Sequence, residues 1–304
     1  MPQISIIIPF NNGKKYLKKC LNNITAISYN DYEIVLVDDF SNDNSEKIAR
    51  KYKKIKYYYT AEKSRGVGNA RNLGIKKANG KYIMFLDVDD TIDKELLKNL
   101  KNHMNKDVEM IKYKMKIIGK KESYADGPIF DVTDGEEGLN KLCFKDKYLD
   151  SPCLYLIKKE LFERTGLNFE KDVYHEDFGL IPLLIANAKS IVSTKIYGYN
   201  YFQSENSIMR NNDYLKHIKK VEDKFFLYDK IYEKLEKMNL KKETKQNLLE
   251  YYTNSIISGI KDLKTNDRNS FKKEIMEKGM IDNLRVRNLK QKIRKELIKL
   301  RLKN

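Results

Sequence analysis

The first 105 residues of the chain repeat one pattern, in which a short apolar run is followed by a segment of helical spacing. The runs are rich in the β-branched and aromatic residues that favour strands: ISIIIPF, YEIVLVDD, KIKYYYT and KYIMFLD. Between them, as in KKYLKKCLNNI, apolar residues recur every three or four positions, which is typical of a helix with one buried face. Because strands that alternate with helices in this way form βαβ units, the sequence predicts an α/β fold with a doubly wound, mostly parallel central sheet flanked by helices.

The last of these four runs leads directly into three acidic residues, Asp87, Asp89 and Asp90. The first two runs also end in polar residues, with Asn11 after one and Asp39 at the end of the other. In a parallel sheet such ends lie side by side, along the edge where α/β folds bind their ligands. Three neighbouring carboxylates repel one another, so they favour a divalent metal that carries a phosphate ester. The alternative is a turn in which Asp90 or Asp93 caps the next helix.

A glycine-rich segment, GVGNAR, begins the helix that precedes the acidic run. Gly66 and Gly68 allow the backbone to approach a ligand closely, and Arg71 offers a forked pair of donors. Asp39 can accept the ring N–H of a pyrimidine base, which Phe10 can flank. The segment is not the GxGxxG fingerprint, which would follow the first strand of its unit, so we exclude a nicotinamide cofactor.

After residue 105 the alternation becomes irregular. VEMIKYKMKII predicts a strand, residues 119–134 a loop or hairpin, and CLYLIKKELFERTG a strand that leads into a short helix. His175, Glu176 and Asp177 then precede an apolar helix, and on spacing alone we favour an N-cap over a functional role for these residues. A long strand over residues 190–203 closes this region.

From residue 206 onward the sequence carries only helical patterns, so we expect a helical C-terminal region over residues 206–304. Its last segment, Arg285–Asn304, holds nine Lys or Arg residues and one acidic residue. One face of the helix predicted there is apolar: Leu289, Ile293, Leu297 and Leu300. A basic amphipathic helix suits an anionic membrane surface, and it equally suits packing on the domain with the basic face in solvent.

The composition limits the class of protein. A hydrophobic content of 41% fits a folded chain. The net charge of +17 suggests nucleic acid, an anionic membrane surface or phosphorylated substrates as partners, or reflects only a composition rich in scattered surface Lys. The three cysteines have no metal-ligand spacing, so we expect reduced thiols. The N-terminus has no basic region before its apolar run, and no apolar run approaches the length of about 18 residues that spans a bilayer. We therefore expect a cytoplasmic protein, either soluble or peripheral on the inner face of the cell membrane.

Five motifs, taken in order, resemble those of one enzyme family. They are IIIPFNNGKKYLKKCLNNI, IVLVDDFSND, GVGNARNLGI, FLDVDD and HEDFGLI. In this order and spacing the chain resembles the family 2 inverting glycosyltransferases of the GT-A fold. The resemblance implies a glycosyltransferase domain over residues 1–205, with a nucleotide-sugar-binding half over 1–105 and an acceptor-binding half over 106–205.

The resemblance also implies a reaction and a site. A uridine diphosphate sugar would donate its sugar, by single displacement, to a hydroxyl of a cell-surface glycan or a polyprenyl-linked acceptor. The residues that would bind the nucleotide sugar are Pro9, Phe10, Asn11, Asp39, Gly66, Asn69, Arg71, Asp87 and Val88. The family's DxD motif falls on Asp87 and Asp89, which would hold Mn²⁺ or Mg²⁺. Its catalytic base falls on the ED pair, where Asp177 is our choice and Glu176 the alternative.

One segment departs from the family pattern. Many members carry an Arg shortly before an SI motif, where this chain has Gln203 and Ser204, and Arg210 is the candidate substitute for binding the diphosphate.

Two other classes of protein compete with the glycosyltransferase. A sugar-nucleotide nucleotidyltransferase would need a Gly-rich basic loop after the first strand, of which NNGKK is a thin version. A nucleic-acid-binding protein is suggested by the charge alone and has no recognisable motif here, so we expect no nucleic-acid partner.

Overall fold

The chain divides into two units, Met1–Arg210 and Asn211–Asn304. The computed structural model describes residues 1–60, 66–119, 122–125, 127–203 and 213–303. From the sequence we placed the boundary between residues 205 and 206. The division of the first unit into donor and acceptor halves stays a prediction.

One mixed sheet of ten strands runs through the described part of the first unit. Its strands are β1 (Ile4–Phe10), β2 (Tyr32–Asp38), β3 (Ile55–Tyr59), β4 (Tyr82–Phe85), β5 (Thr91–Ile92), β6 (Met110–Ile118), β7 (Ser123–Ala125), β8 (Phe130–Thr133), β9 (Tyr155–Lys158) and β10 (Ile191–Phe202). Their order across the sheet is β3, β2, β1, β4, β9, β6, β10 and β5, with β7 beside β6 and β8 beside β10.

Strands β1 to β4 form a regular parallel half of the sheet. β1 lies between β2 and β4 and is buried along its whole length, as its unbroken apolar sequence predicts. Three helices connect these strands: α1 (Lys14–Thr25), α2 (Ser45–Ala49) and α3 (Val67–Lys77). α1 packs with its apolar face inward: Leu17, Cys20, Leu21 and Ile24. This half confirms the predicted α/β fold and brings the carboxyl ends of β1, β2 and β4 to one edge.

The other half of the sheet is mixed. β9 runs antiparallel to both β4 and β6, whereas β10 is parallel to β6 and antiparallel to β5 and β8. The helices of this half are α4 (Leu96–Asn105), α5 (Gly135–Leu142), α6 (Lys159–Thr165) and α7 (Ile181–Asn187). The segment predicted as a loop or hairpin, residues 119–134, contains two strands. β7 pairs with β6 and β8 pairs with β10, so each of these strands joins the sheet beside a different neighbour.

Both helix-capping interpretations from the sequence are wrong. α4 begins at Leu96 after Glu95, with no side-chain cap. Asp90 lies well before it, and the Asp93 carboxylate pairs with Lys116. α7 begins at Ile181, and its N-cap residue is Leu180, whose apolar side chain cannot accept a hydrogen bond. The acidic residues before these two helices therefore need another explanation.

The second unit is helical, as its sequence predicts. Its helices are α8 (Tyr214–Lys237), α9 (Lys242–Gly259), α10 (Thr265–Glu277) and α11 (Leu289–Lys303), with a short 3-10 turn at Met280–Asn283. The Asp213 carboxylate caps α8 by accepting the backbone N–H groups of Leu215 and Lys216. Phe225 of α8 stacks on Phe271 of α10 with ring centroids 5.5 Å apart. Within the described residues, no helix has the length and apolar character needed to cross a bilayer.

Candidate functional site

The acidic segment that follows β4 lies at the carboxyl edge of the parallel half-sheet. One oxygen of Asp87, Oδ1, accepts a hydrogen bond from Nη2 of Arg71 at 2.9 Å, and the side chain is 40% exposed. The backbone N–H of Asp87 donates to the hydroxyl of Tyr199 on β10, 3.3 Å away. Asp89 and Val88 are half-buried beside it. The first Asp of the predicted DxD pair is therefore held from two sides, by α3 and by β10.

Asp90 differs from its two acidic neighbours because it is buried. Its carboxylate accepts the Tyr199 hydroxyl at 2.6 Å and the backbone N–H of Phe202 at 2.8 Å. Burial raises the pKa of Asp90 to about 8, and the charges of Asp87 and Asp89 contribute to the rise. Asp90 thus ties the acidic segment to the end of β10, which the capping interpretation did not anticipate.

Arg71 on α3 joins two parts of the chain that lie far apart in sequence. Its guanidinium pairs with Asp87 through Nη2 and with Glu176 through Nη1. It lies 5.4 Å from the ring centroid of Phe169 and is itself only 6% exposed. Burial alone would lower the pKa of Arg71, but the carboxylates of Glu176 and Asp87 outweigh it and raise this pKa. Arg71 therefore acts as a charged bridge between the strand end and the loop before α7.

α3 also holds that loop through two further residues. The side-chain amide of Asn72 donates to the carbonyl of Phe169 at 2.8 Å and accepts the Phe169 N–H at 3.0 Å. Gly68 lies so close to the loop that a Cβ there would be 2.4 Å from the Glu170 carbonyl oxygen. No side chain larger than that of glycine fits at this position. Asn72 was missed in the sequence, although it directly follows the Arg of the same motif.

Asp177 follows Glu176 in this loop and is half-buried. Its carbonyl accepts the N–H groups of Leu180 at 3.1 Å and of Ile181 at 3.4 Å, so the residue belongs to the turn that leads into α7. Burial raises the pKa of the Asp177 carboxyl well above its usual range, and the charges of Glu176 and Asp150 add to this rise. His175 enters the turn with a φ of +60°, a left-handed conformation that is uncommon for residues other than glycine. A carboxyl with a raised pKa in a strained turn is typical of a functional group.

The predicted base-binding residues surround the ends of β1 and β2. Asp39 is buried, accepts the Thr60 hydroxyl at 2.9 Å, and donates its N–H to the Phe10 carbonyl at 2.8 Å. Burial raises the pKa of Asp39, and the charges of Asp38 and Asp172 act in the same direction. The amide of Asn11 donates to the Asp39 carbonyl, so Asn11 shapes the loop after β2.

Phe10 and Pro9 are buried in β1, and the Phe10 ring packs against Gly13. Gly66 and Asn69, at the start of α3, are half-buried.

The predicted diphosphate-binding segment is described only at its first residue. Gln203 donates its backbone N–H to the Ile118 carbonyl at 2.9 Å, which continues the pairing of β10 with β6. Ser204 and Arg210 lie outside the described residues.

The acidic edge offers carboxylates, the ligand type that Mg²⁺ and Mn²⁺ accept in proteins. Among the described residues, no cluster of three or more His, Cys, Asp or Glu side chains could hold a metal by itself. Asp87 and Asp89 supply two carboxylates, and Mg²⁺ or Mn²⁺ at phosphate sites commonly uses one or two carboxylates together with phosphate oxygens and water. Burial raises the pKa of the nearby Cys20 thiol to about 12, and the charges of Asp90, Asp87 and Asp89 add to this rise. Asp87 and Asp89 are therefore the residues that would hold a divalent cation here.

Comparisons with known proteins agree with this geometry. The sequence profile of Glycosyl transferase family 2 matches residues 5–166. The chain is 30% identical over 216 residues to the poly(ribitol-phosphate) beta-N-acetylglucosaminyltransferase TarS of Staphylococcus aureus (strain Mu50), a match that covers 66% of this chain and 35% of TarS. It is 29% identical over 232 residues to glycosyltransferase GlyG of Streptococcus pneumoniae serotype 4, covering 68% of this chain and 73% of GlyG. The chain thus spans about a third of the length of TarS.

Solved structures share the fold. The crystal structure of S. aureus TarS 1–349 in complex with UDP-GlcNAc matches with a TM-score of 0.74 at 21% identity, covering 94% of this chain and 82% of that one. The mannosyltransferase PcManGT from Pyrobaculum calidifontis, in complex with GDP-Man and Mn²⁺, matches with a TM-score of 0.58 at 15% identity, covering 91% and 75%. The fold is the GT-A fold that the sequence predicted. Because the family profile covers more than half of the chain, the protein belongs to glycosyl transferase family 2.

Proposed function

We propose that the protein is a metal-dependent inverting glycosyltransferase that moves a sugar from a uridine diphosphate sugar to an acceptor hydroxyl. The observation that carries this proposal is the Arg71 bridge. It brings Asp87, at the sheet edge where a nucleotide sugar binds, and Glu176, next to the candidate base, onto one guanidinium. Two acidic groups 89 positions apart in the sequence therefore face one site, as transfer between a donor and an acceptor requires.

Asp177 is the catalytic base in this proposal. A sugar hydroxyl is a poor nucleophile, so a carboxylate must take its proton as the oxygen attacks C1 of the donor sugar. This contributes roughly 10²- to 10⁴-fold to the rate. As the new C1–O bond forms, the bond from C1 to the diphosphate breaks and UDP departs with its electron pair. Attack on the face opposite the leaving group inverts the anomeric centre. Glu176 suits this role less well because its carboxylate is engaged by Arg71.

The departing diphosphate develops negative charge, which must be offset. Asp87 and Asp89 would hold Mn²⁺ or Mg²⁺, which when bound supplies Lewis-acid stabilisation of this charge. On the donor side, Asp39 would accept the N–H of the uracil ring with the carboxylate oxygen that Thr60 leaves open. Burial raises the pKa of Asp39, and an N–H donated by the uracil ring would stabilise the charged form of this carboxyl.

The acceptor is proposed to be a hydroxyl of a cell-surface glycan or of a lipid-linked glycan. The relative TarS is named for transfer to poly(ribitol-phosphate), so a phosphate-bearing polyol is the first acceptor to test. We place the reaction in the cytoplasm. The cysteines Cys20, Cys143 and Cys153, all of them described, are buried free thiols, which suits a reducing compartment.

Thermal unfolding with candidate donors tests the donor site. A ligand at 100 times its Kd stabilises the native state by about 2.7 kcal/mol. We expect UDP-GlcNAc or another UDP-sugar, with Mn²⁺, to raise Tm by several degrees, and GDP-mannose to have a smaller effect. Asp89→Asn should remove the Mn²⁺-dependent part of the shift. Asp93→Asn is the matched control, because Asp93 lies on the same segment but pairs with Lys116.

Product analysis separates the proposal from its alternative. With an acceptor present, the protein should release UDP and leave a sugar on the acceptor with inverted anomeric configuration. Turnover that depends on pyrophosphate would instead identify a sugar-nucleotide nucleotidyltransferase. The proposal is wrong if no UDP-sugar shifts Tm, or if Asp89→Asn and Asp93→Asn respond to Mn²⁺ alike.

A further inference from the structure

The C-terminal helix α11 exposes a continuous apolar stripe. Four residues recur along one face of this helix, and each is about half exposed or more: Leu289 (72%), Ile293 (52%), Leu297 (48%) and Leu300 (57%). Single exposed apolar residues are normal on protein surfaces, but a row of four on one helix face marks an interaction surface. We therefore expect a partner to cover this stripe.

α11 is attached to its unit by another face. Gln291, Lys295 and Ile298 are half-buried, and they lie on the side of the helix opposite the stripe. The Lys295 ammonium donates to the Leu284 carbonyl at 2.7 Å, and Arg294 donates to the side chain of Asn254 at 2.8 Å. Packing thus uses the side of α11 that includes polar residues and leaves the apolar stripe outward. From the sequence, packing of this helix on its unit and docking on a membrane were equally open. In the structure the helix packs on its unit, but the apolar stripe stays exposed.

Cations flank the stripe on both sides. On a helical projection Lys290 and Arg301 lie along one border of the stripe. Lys292 lies along the other border, together with Glu296, which pairs with Lys299 at 3.4 Å. The segment Arg285–Asn304 has nine Lys or Arg residues and a single acidic residue, Glu296. Two copies of α11 packed stripe to stripe would bring these like charges together, which disfavours self-association. A partner that has an anionic surface and an apolar interior would contact both the cations and the apolar stripe.

We propose that α11 docks on an anionic bilayer surface, with the stripe in the boundary between headgroups and acyl chains and the flanking cations among the lipid phosphates. An amphipathic helix with a basic polar face lies in the plane of the membrane in this way. At 15 residues, α11 is about 22 Å long and is too charged to cross a bilayer, so it lies flat. The burial of the apolar stripe and the attraction of the cations to anionic headgroups then both contribute to the binding free energy. This inference does not depend on the transfer reaction.

Flotation of the full chain with lipid vesicles tests the proposal. The protein should float with vesicles of phosphatidylcholine mixed with phosphatidylglycerol, and much less with phosphatidylcholine alone. The double variant Ile293→Gln/Leu297→Gln should lose binding to both. The triple variant Lys290→Gln/Lys292→Gln/Arg301→Gln should weaken binding to the anionic vesicles on the order of a hundredfold, since each cation near the surface contributes to it.

Matched variants elsewhere in the same unit serve as controls. Leu215→Gln/Met276→Gln replaces two exposed apolar residues outside α11, with exposures of 76% and 39%. Lys237→Gln/Lys261→Gln/Lys273→Gln removes three exposed cations, again outside α11. Both controls should float like the unaltered chain. The proposal is overturned if the unaltered chain does not float, or if the stripe variant and its control float equally. A dimer that the Ile293→Gln/Leu297→Gln variant abolishes, without vesicle binding, would assign the stripe to a second copy instead.

Discussion

The two acidic pairs of the candidate site, Asp87 with Asp89 and Glu176 with Asp177, are positioned in different ways. The first pair follows β4, which backbone hydrogen bonds fix between β1 and β9. The second pair lies on a loop that side chains of α3 hold, through the Arg71 ion pair and the Asn72 amide. The strand end is therefore set by the geometry of the sheet, whereas the loop depends on a few long-range side-chain contacts.

The two pairs share a division of roles. In each pair Arg71 binds one member, Asp87 or Glu176. Among the described residues, the ion pairs of Arg71 include neither Asp89 nor Asp177. We infer that Glu176 positions the site while Asp177 carries the proton transfer, and that Asp87 would be shared between Arg71 and the metal that Asp89 also holds. This comparison makes predictions that differ within each pair.

The largest expected effect is on the rate of transfer in Asp177→Asn. The amide keeps the size of the side chain but cannot take a proton, so the rate should fall by roughly 10²- to 10⁴-fold while donor binding is retained. Glu176→Gln keeps an oxygen that Arg71 can donate to and should lose much less activity. Steady-state kinetics of the two variants, with donor affinity measured alongside, check this difference.

The pH dependence of the unaltered enzyme offers a second test of the same assignment. A base acts in its deprotonated form, and burial holds the pKa of Asp177 well above its usual range. The transfer rate should therefore fall, as the pH is lowered, at a higher pH than an ordinary aspartate with a pKa of about 3.9 would cause. Equal activity of Asp177→Asn and Glu176→Gln, or a rate that stays flat down to that range, would contradict the assignment.

The next effect is on stability, in Arg71→Met. Removing one partner of a buried ion pair leaves an uncompensated charge, which costs about 3–5 kcal/mol of the free energy of unfolding. Here Glu176 and Asp87 both lose their partner, and Glu176 is only 10% exposed. Urea denaturation measures the loss.

Arg50→Met is the matched control for this experiment. Its guanidinium pairs with Glu46 across one helical turn, with exposures of 70% and 49%, and such pairs contribute about 0.3–0.5 kcal/mol. Adding Glu176→Gln to Arg71→Met should recover part of the loss, because the buried charge is then gone. If Arg71→Met destabilised the protein no more than Arg50→Met, the bridge would not hold the two regions together.

The sequence predicts the strand end better than the loop, for a physical reason. Strands of a parallel sheet are buried on both faces, so their apolar runs stand out, and β1 has the predicted bounds Ile4–Phe10. The acidic residues after β4 stand directly behind such a run in the sequence, so their place at the edge of the sheet was predictable. Helices of the second unit are similarly clear, because their periodicity is local, as in α8 over Tyr214–Lys237.

The loop before α7 depends on contacts that no local pattern encodes. Acidic residues in front of an apolar helix are typical of an N-cap, so the spacing of Glu176 and Asp177 favoured that interpretation. The structure instead places a turn there, with His175 at a positive φ, and pairs Glu176 with a residue 105 positions earlier. In α11 the sequence likewise showed an apolar face, but only the packing of Ile298 shows which face stays exposed.

The smallest effect concerns the strand end itself, in Tyr199→Phe. The Tyr199 hydroxyl donates to Asp90 at 2.6 Å and accepts the Asp87 N–H, so its loss removes two hydrogen bonds and should cost about 1–3 kcal/mol. Tyr82→Phe, the control, removes a hydroxyl that donates to the Val108 carbonyl at 2.9 Å and should cost about 0.5–1.5 kcal/mol. Only Tyr199→Phe should also weaken Mn²⁺-dependent donor binding, because only this hydroxyl contacts the acidic segment. Donor affinity measured by calorimetry, beside urea denaturation of both variants, separates the two roles. If both variants bound the donor equally well, sheet geometry alone would fix the strand end, and β10 would have no part in positioning it.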